Sequence, residues 1–470
     1  MLKSKKILLF EPEYVLQDFA HWLPLGKAVL AGFMRKYQYR LEIIDNALLH
    51  LSDEELIKRI KDFNPDIIGT GGISFQMPDT KRLAKLVKKH FPDIFLLGGG
   101  THLTYKPEDG LDLFDLLIMG EGEITLLEVC NRFLETSSIK GETYSDIPGL
   151  CYRSKNGKIF YTQERELIQN LDEIPFPAYD LLDLYAYGDP GNKTTNIISS
   201  RGCPFLCIFC TAHIDSKQYI RYHSVDYILA LMKLLSDTYD INNFHFMDNI
   251  FNLDSERTIE FCKRIIAEKR NYIMDCFSHV KQGDKEVYSM MKKAGFTQVF
   301  YGIESGNDNV LLNIKKGVTS SEGIATIKAV KEGGLLPMLL FMLGNAGETE
   351  ATIMDTINFA KKYNPPFEDG KRVGFNIFHL VLAYPGSHFF IDADKYGVIE
   401  FPNRKNVPYP VASKEPYSLE TLNDIATIFG EKEFPDNTDS PLSFPAFVPN
   451  GLTSKRLVEL QNMAIKEAGE

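Results

Sequence analysis

Asn196-Ile197-Ile198-Ser199-Ser200-Arg201-Gly202-Cys203-Pro204-Phe205-Leu206-Cys207-Ile208-Phe209-Cys210 reads as a short apolar strand that turns at Gly202 into three cysteines within eight residues. Thiolates this close, on a loop just past a strand end, are placed to meet at one metal centre. Their number is informative: a structural zinc takes four protein ligands, whereas three thiolates on an iron–sulfur cube leave one iron open to a non-protein ligand. A Cys3His zinc site completed by His213, and a thioredoxin-like pair of Cys207 and Cys210 that leaves Cys203 unexplained, are the competing readings.

Downstream, strand-like runs at 196–199, 244–247, 273–277, 299–303, 339–343 and 375–382 alternate with helix-length periodic segments at 224–239, 255–270, 284–294, 320–332 and 348–363. Six such units predict a partial (β/α)6 barrel of TIM type over residues 194–400, with the cysteine loop at the mouth. The later strands end in polar residues, as a mouth-facing site requires: Asp248-Asn249, Ser278-His279, Glu304-Ser305, Gly344 to Glu348, and Tyr384.

Upstream, apolar runs at 7–10, 41–44, 67–70, 94–97 and 116–119 are separated by amphipathic stretches, which predicts a parallel sheet with helices on both faces. The expected fold is a Rossmann-like α/β domain over residues 1–135. Ligands of such sheets sit at the carboxyl ends of the strands. Tyr14, Ser74, Gly98, Gly99, Gly100, Thr101, His102, Glu121 and Gly122 lie there and are the candidate contacts. No Gly-x-Gly-x-x-Gly follows the first strand, which disfavours a dinucleotide. Residues 136–193 read as a linker containing a hairpin with an Asn156-Gly157 turn, and 401–470 as a proline- and aromatic-rich extension ending in a helix from Thr453.

At 470 residues, the chain carries 52 basic and 63 acidic side chains, a net charge of −11 that argues against nonspecific nucleic-acid binding. The absence of an apolar run long enough for an integral membrane segment, and a start that passes directly into a strand, predict a cytoplasmic protein. Cys130, Cys151, Cys262 and Cys276 fall on periodic apolar segments and read as buried small hydrophobes.

The spacing Cys203-x3-Cys207-x2-Cys210, with Phe209 before the last cysteine, resembles the signature of the radical S-adenosylmethionine (SAM) family. The resemblance implies that the three thiolates hold a 4Fe-4S cluster, that SAM chelates the fourth iron and is cleaved to a 5′-deoxyadenosyl radical, and that Phe209 lies beside the adenine. It further implies that Asp248 and Asn249 meet the methionine amino group, Glu304 and Ser305 reach ribose and carboxylate, and Leu343 with Gly344 flank the adenine. Asn345-Ala346 replaces the aromatic-proline pair frequent in that last segment. Together with this motif, the glycine-rich strand ends of the first domain resemble the cobalamin-binding domain of the B12-dependent radical SAM subfamily. The Asp-x-His-x-x-Gly string that supplies an axial histidine elsewhere is absent, so the resemblance implies cobalamin held without histidine ligation. The implied activity is methylation of an unactivated carbon in a small-molecule or lipid-like substrate, with electrons from an external donor such as flavodoxin or ferredoxin. Radical cyclisation, rearrangement or carbon–carbon bond formation, a first domain without cobalamin, and a non-catalytic metal-binding module are the alternatives.

Overall fold

The computed structural model describes residues 5–14, 22–187, 193–392, 395, 397–400, 446–449 and 451–469. The chain divides into two compact units, with the main division between Pro190 and Gly191.

The first unit is a seven-stranded sheet of order β2-β1-β3-β4-β5-β6-β7. Its strands are β1 (Lys6–Glu11), β2 (Arg40–Asp45), β3 (Ile67–Gly71), β4 (Phe95–Gly99), β5 (Leu116–Ile118), β6 (Leu150–Arg153) and β7 (Ile159–Tyr161). The first five are parallel, in registers such as Ile7 opposite Ile67 and Ile67 opposite Phe95. Helices α1 (Leu25–Arg35), α2 (Asp53–Phe63) and α3 (Met77–His90) make crossovers between parallel strands, and α4 (Glu123–Thr136) leads from β5 to the antiparallel β6. Apolar runs such as Ile7-Leu8-Leu9-Phe10 are wholly buried, as a sheet covered on both faces demands. Helix α2 starts on a capping box in which Ser52 and Glu55 each accept from the other's backbone N–H.

The hairpin expected within the linker instead extends this sheet. β6 pairs antiparallel with β5, Leu117 opposite Cys151, and β7 follows it. The chain then runs back over α1. Ala178 N–H donates to the Ala28 carbonyl at 2.8 Å, Asp180 accepts a bidentate pair from Arg35, and a Cβ on Gly32 would lie 2.3 Å from the Phe176 carbonyl oxygen. Tyr187 OH closes the wrap by donating to Asp45 Oδ2 at 2.6 Å.

The second unit is a six-stranded parallel sheet whose strands lie side by side in chain order: β8 (Thr194–Ile197), β9 (Asn243–Phe246), β10 (Ile273–Ser278), β11 (Phe296–Glu304), β12 (Leu336–Leu343) and β13 (Phe375–Leu380). Helices α5 (Val225–Tyr239), α6 (Ser255–Glu268), α7 (Lys285–Ala294), α8 (Ser320–Glu332) and α9 (Glu350–Tyr363) alternate with them from β8 through β12, giving the partial barrel. The register slips between Gly302 and Glu304, a bulge that ends β11 with Glu304 at φ +67. Glu348, expected inside the last of these helices, lies before α9. Its carboxylate turns back to accept the Gly344 and Asn345 N–H groups at 2.6 and 2.8 Å, while Thr349 caps the helix.

The C-terminal helix α10 (Ser454–Ala468) belongs to this unit. Asn376 Nδ2 donates to the Ala468 carbonyl at 2.6 Å and Gln461 Nε2 to the Phe378 carbonyl at 2.9 Å, seating the helix on β13. The proline- and aromatic-rich part of the extension lies almost wholly outside the described residues.

Candidate functional site

In the second unit the site grows from the end of β8. Gly202, at φ +111, makes the turn; a Cβ there would sit 2.0 Å from the Tyr219 carbonyl oxygen, so no other residue fits. Asp248, just past β9 and 1% exposed, holds the stem. Its carboxylate accepts from Ser199 N–H at 3.0 Å, from Ser199 Oγ at 2.8 Å and from the Ser200 hydroxyl. Asn249 Nδ2 donates to the Gly202 carbonyl at 3.2 Å.

The cysteine loop is fastened at its centre. Ile208 donates its N–H to the Ile314 carbonyl at 3.1 Å and accepts from Phe389 N–H at 3.2 Å. Its side chain packs with Leu311, Ile314, Ala346, Val381, Ala383 and Phe389, and Phe209 and Met342 lean on the same cluster. On the other side the Phe205 ring stacks on His279, centroids 3.6 Å apart at 9°.

Cys203, Cys207 and Cys210 are free thiols. Burial raises all three above the usual thiol range, Cys207 up to about 12, and the charge of Lys316 pulls against that rise in each case. The site thus holds three sulfurs drawn away from water, with Lys316 as the protein cation among the described residues that favours their ionised form. Ligated iron supplies the missing positive charge, so the donor set fits an iron–sulfur cluster.

Lys316 is a residue of this unit that sequence reasoning missed. Its Nζ is 2.8 Å from Glu304 Oε1, both side chains are 8% exposed, and it stands 6.0 Å from the Phe209 ring centroid. Burial opposes its charge, but Glu304 and Cys207 outweigh that and hold its pKa above the ordinary lysine value.

The other expected SAM contacts are placed unequally. Ser305 is fully buried, its hydroxyl bonded to Thr356 Oγ1 at 3.0 Å and to Asn307 N–H at 3.2 Å. The Leu343 side chain is also fully buried, leaving backbone as what these two residues present. Gly344, at φ +97, is fixed by Glu348, whose pKa burial pushes up to about 7.

In the first unit the expected contacts gather along the carboxyl edge of the sheet. Gly100, at φ +88, packs backbone to backbone against Gly72: a Cβ would meet Gly72 N at 2.7 Å. Thr101 is exposed, and Gly120 (φ +70) has open space where its Cβ would stand. Bare backbone at Gly99 to Thr101 and Gly120 to Gly122 fits close approach of a broad ring, and the buried Thr70 hydroxyl on β3 has no partner among the described residues. Gly98 has a different reason: a Cβ would strike Leu117 and Phe114 at 2.6 and 2.8 Å, so core packing demands it.

Ser74 and His102 are buried against each other, Ser74 Oγ to His102 Nδ1 at 2.9 Å, and His102 Nε2 reaches Asp109 at 2.8 Å. Both ring nitrogens are engaged, in keeping with the absent axial-histidine motif. Glu121 accepts from Ile168 N–H at 3.1 Å, and Tyr14 OH lies 3.4 Å from Glu11. Glu11 is in turn held by Lys27 at 3.2 Å and Gln76 at 2.5 Å.

Comparison with known proteins agrees with this division. Residues 18–130 match the B12 binding domain family and residues 197–360 the radical SAM superfamily. An uncharacterized methyltransferase of Pyrococcus horikoshii is 33% identical over 370 residues, covering 78% of this chain and 77% of that protein. Among solved structures, the radical SAM methyltransferase TsrM from Kitasatospora setae, with tryptophan substrate and a SAM analog bound, superposes with a TM-score of 0.73 at 15% identity, over 98% of this chain and 89% of its own. The cobalamin-dependent radical SAM enzyme OxsB, with aqua-cobalamin and SAM bound, gives 0.64 at 20% identity over 76% of this chain, which spans about half (52%) of that enzyme. A B12-binding domain joined to a radical SAM domain, in a chain one-third identical to a methyltransferase along most of both lengths, places this protein in the cobalamin-dependent radical SAM enzyme family, whose cofactors are a 4Fe-4S cluster, SAM and cobalamin.

Proposed function

We propose that this chain methylates an unactivated carbon of a small-molecule or lipid-like substrate, drawing electrons from an external donor of the flavodoxin or ferredoxin class. The observation that carries the reading is the loop after β8: three free thiols, that of Cys207 buried, with the buried Lys316 near them, in a chain that also has a B12-binding domain. When bound, the cluster and SAM supply a carbon radical, and cobalamin supplies the methyl group.

The chain's own residues supply placement and exclusion. Cys203, Cys207 and Cys210 hold the cluster, and Asp248 with Asn249 keeps their loop at the strand end. Ile208, Met342 and Val381 form an apolar wall that keeps water from a reactive centre. Phe209 and the backbone of Gly344 border the place assigned to adenine, and Glu304 and Ser305 the place assigned to ribose and carboxylate. In the first unit, Gly99, Gly100, Thr101, Glu121 and Gly122 border the cobalamin, with Ser74 and His102 bracing that edge from beneath and Tyr14 beside it.

The test is cofactor content. Protein purified anaerobically, reconstituted with iron and sulfide and offered hydroxocobalamin is analysed by absorbance and by mass spectrometry of the extract. About four irons per chain, as a 4Fe-4S centre requires, together with one cobalamin are expected. Iron without cobalamin would overturn the methyl-transfer reading and leave the cluster reading standing.

A further inference from the structure

A lysine and a glutamate buried together at the end of a barrel strand call for an explanation, because desolvating two charges costs more than a surface pair returns. Four observations locate the explanation. Lys316 and Glu304 are paired at 2.8 Å and nearly inaccessible. Glu304 adopts φ +67, a strained backbone conformation for a residue other than glycine. Gly302 leaves the room: a Cβ there would lie 2.2 Å from Glu304 Oε1 and 3.0 Å from Lys316 Nζ. The Ile208–Ile314 backbone hydrogen bond then ties the segment carrying Lys316 to the middle of the cysteine loop.

We propose that Lys316 sets the reduction potential of the cluster held by Cys203, Cys207 and Cys210, with Glu304 as its counterweight. The inference rests on the cluster assignment made above. Three thiolates on a 4Fe-4S core leave it with net negative charge, and the electron arriving from the flavodoxin- or ferredoxin-class donor adds one more. In a weakly polarisable surrounding, a fixed cation nearby favours the reduced form, and a fixed anion nearby favours the oxidised form. Lys316 Nζ stands 6.0 Å from the ring of Phe209, which lies between Cys207 and Cys210 in the loop, and Glu304 pairs with it at 2.8 Å. The pair is thus a built-in bias whose two halves have opposite signs.

The test is a dye-mediated redox titration of the reconstituted full-length protein, without SAM, followed by the electron paramagnetic resonance signal of the reduced cluster. Lys316→Met is expected to move the midpoint to more negative potential, Glu304→Gln to more positive potential, and Lys316→Arg to leave it near wild type. Midpoints that do not move, or that move in the same direction in the Met and Gln variants, would overturn the proposal and reduce the pair to a structural brace. If Lys316→Met fails to retain iron, Glu304→Gln alone decides: an upward shift supports the inference and no shift refutes it. Wild-type protein that takes up no cluster would instead refute the cluster assignment, an outcome read separately from iron content.

Discussion

The Asp248 carboxylate accepts the backbone N–H of Ser199 at 3.0 Å, four residues before Cys203. Among the described residues its hydrogen bonds go to Ser199 and Ser200, so it acts on the stem of the cysteine loop. Asp248→Asn replaces one acceptor by a donor that faces other donors, a buried mismatch of about 1–3 kcal/mol. Iron retained per chain after reconstitution and desalting should fall several-fold, with cobalamin uptake unchanged.

Cys203→Ala, Cys207→Ala and Cys210→Ala should each reduce bound iron by more than half and abolish 5′-deoxyadenosine formation, measured by chromatography of a dithionite-reduced reaction. The first unit is compact in itself, so cobalamin binding should persist in all three. Deoxyadenosine at wild-type rate in any of them would remove that cysteine from the ligand set.

Gly100→Ala and Gly120→Ala differ in what they probe. Both positions have positive φ, so each substitution carries about 1–2 kcal/mol of backbone strain. Only at Gly100 does the new Cβ also meet backbone, at 2.7 Å from Gly72 N. Gly100→Ala should therefore lower the Tm more than Gly120→Ala, read by thermal denaturation of the cofactor-free chain. Both should weaken cobalamin binding, at Gly120 because the methyl occupies the approach itself.

Asp45 yields a pH test. Burial pushes its pKa up to about 6 from the ordinary carboxylate value, against the Tyr187 hydrogen bond that lowers it. The folded state thus binds this proton more tightly than the unfolded chain. The stability it confers is complete below about pH 4 and lost as pH rises through about 6. Asp45→Asn keeps a carbonyl to accept from Tyr187 and never ionises. The Tm of the variant relative to wild type should therefore rise between pH 4 and pH 7 and level off above.

Much of this architecture was legible in the sequence, for identifiable reasons. The barrel strands are continuous apolar runs because both faces are covered, and each was expected within a few residues of its place. The differences lie at their ends. β11 begins at Phe296, ahead of the run at 299–303, because Thr297 and Gln298 interrupt the apolar pattern, while Phe296 and Gln298 still pair with β10 on either side of a bulge at Thr297. The hairpin at 150–161 carried a clear turn signal, but its attachment to β5 is a long-range pairing that no local pattern announces.

Within the candidate site, the three cysteines stand out by their spacing and Lys316 does not. Lys315-Lys316-Gly317 reads as an exposed basic turn, and Lys315 is exposed. The neighbouring lysine is buried because Ile314 is bonded to the cysteine loop and Lys315 takes φ +52, a turn of the backbone that brings the next side chain inward. Asp109, the partner of His102, was missed in the same way, since its role depends on the ring orientation. Ser74 and His102 were singled out as ligand contacts for their place at strand ends; their hydrogen bond to each other shows that this edge is also braced from within.

The two backbone bonds of Ile208 carry a consequence for how the protein is made. One partner, Ile314, lies 106 residues downstream and the other, Phe389, lies 181 downstream. During synthesis the three cysteines leave the ribosome long before either partner exists. Their loop acquires its final shape only after β11, β12 and β13 have been laid down, so metallation belongs to the end of folding, and an interrupted chain is left with thiols open to oxidation.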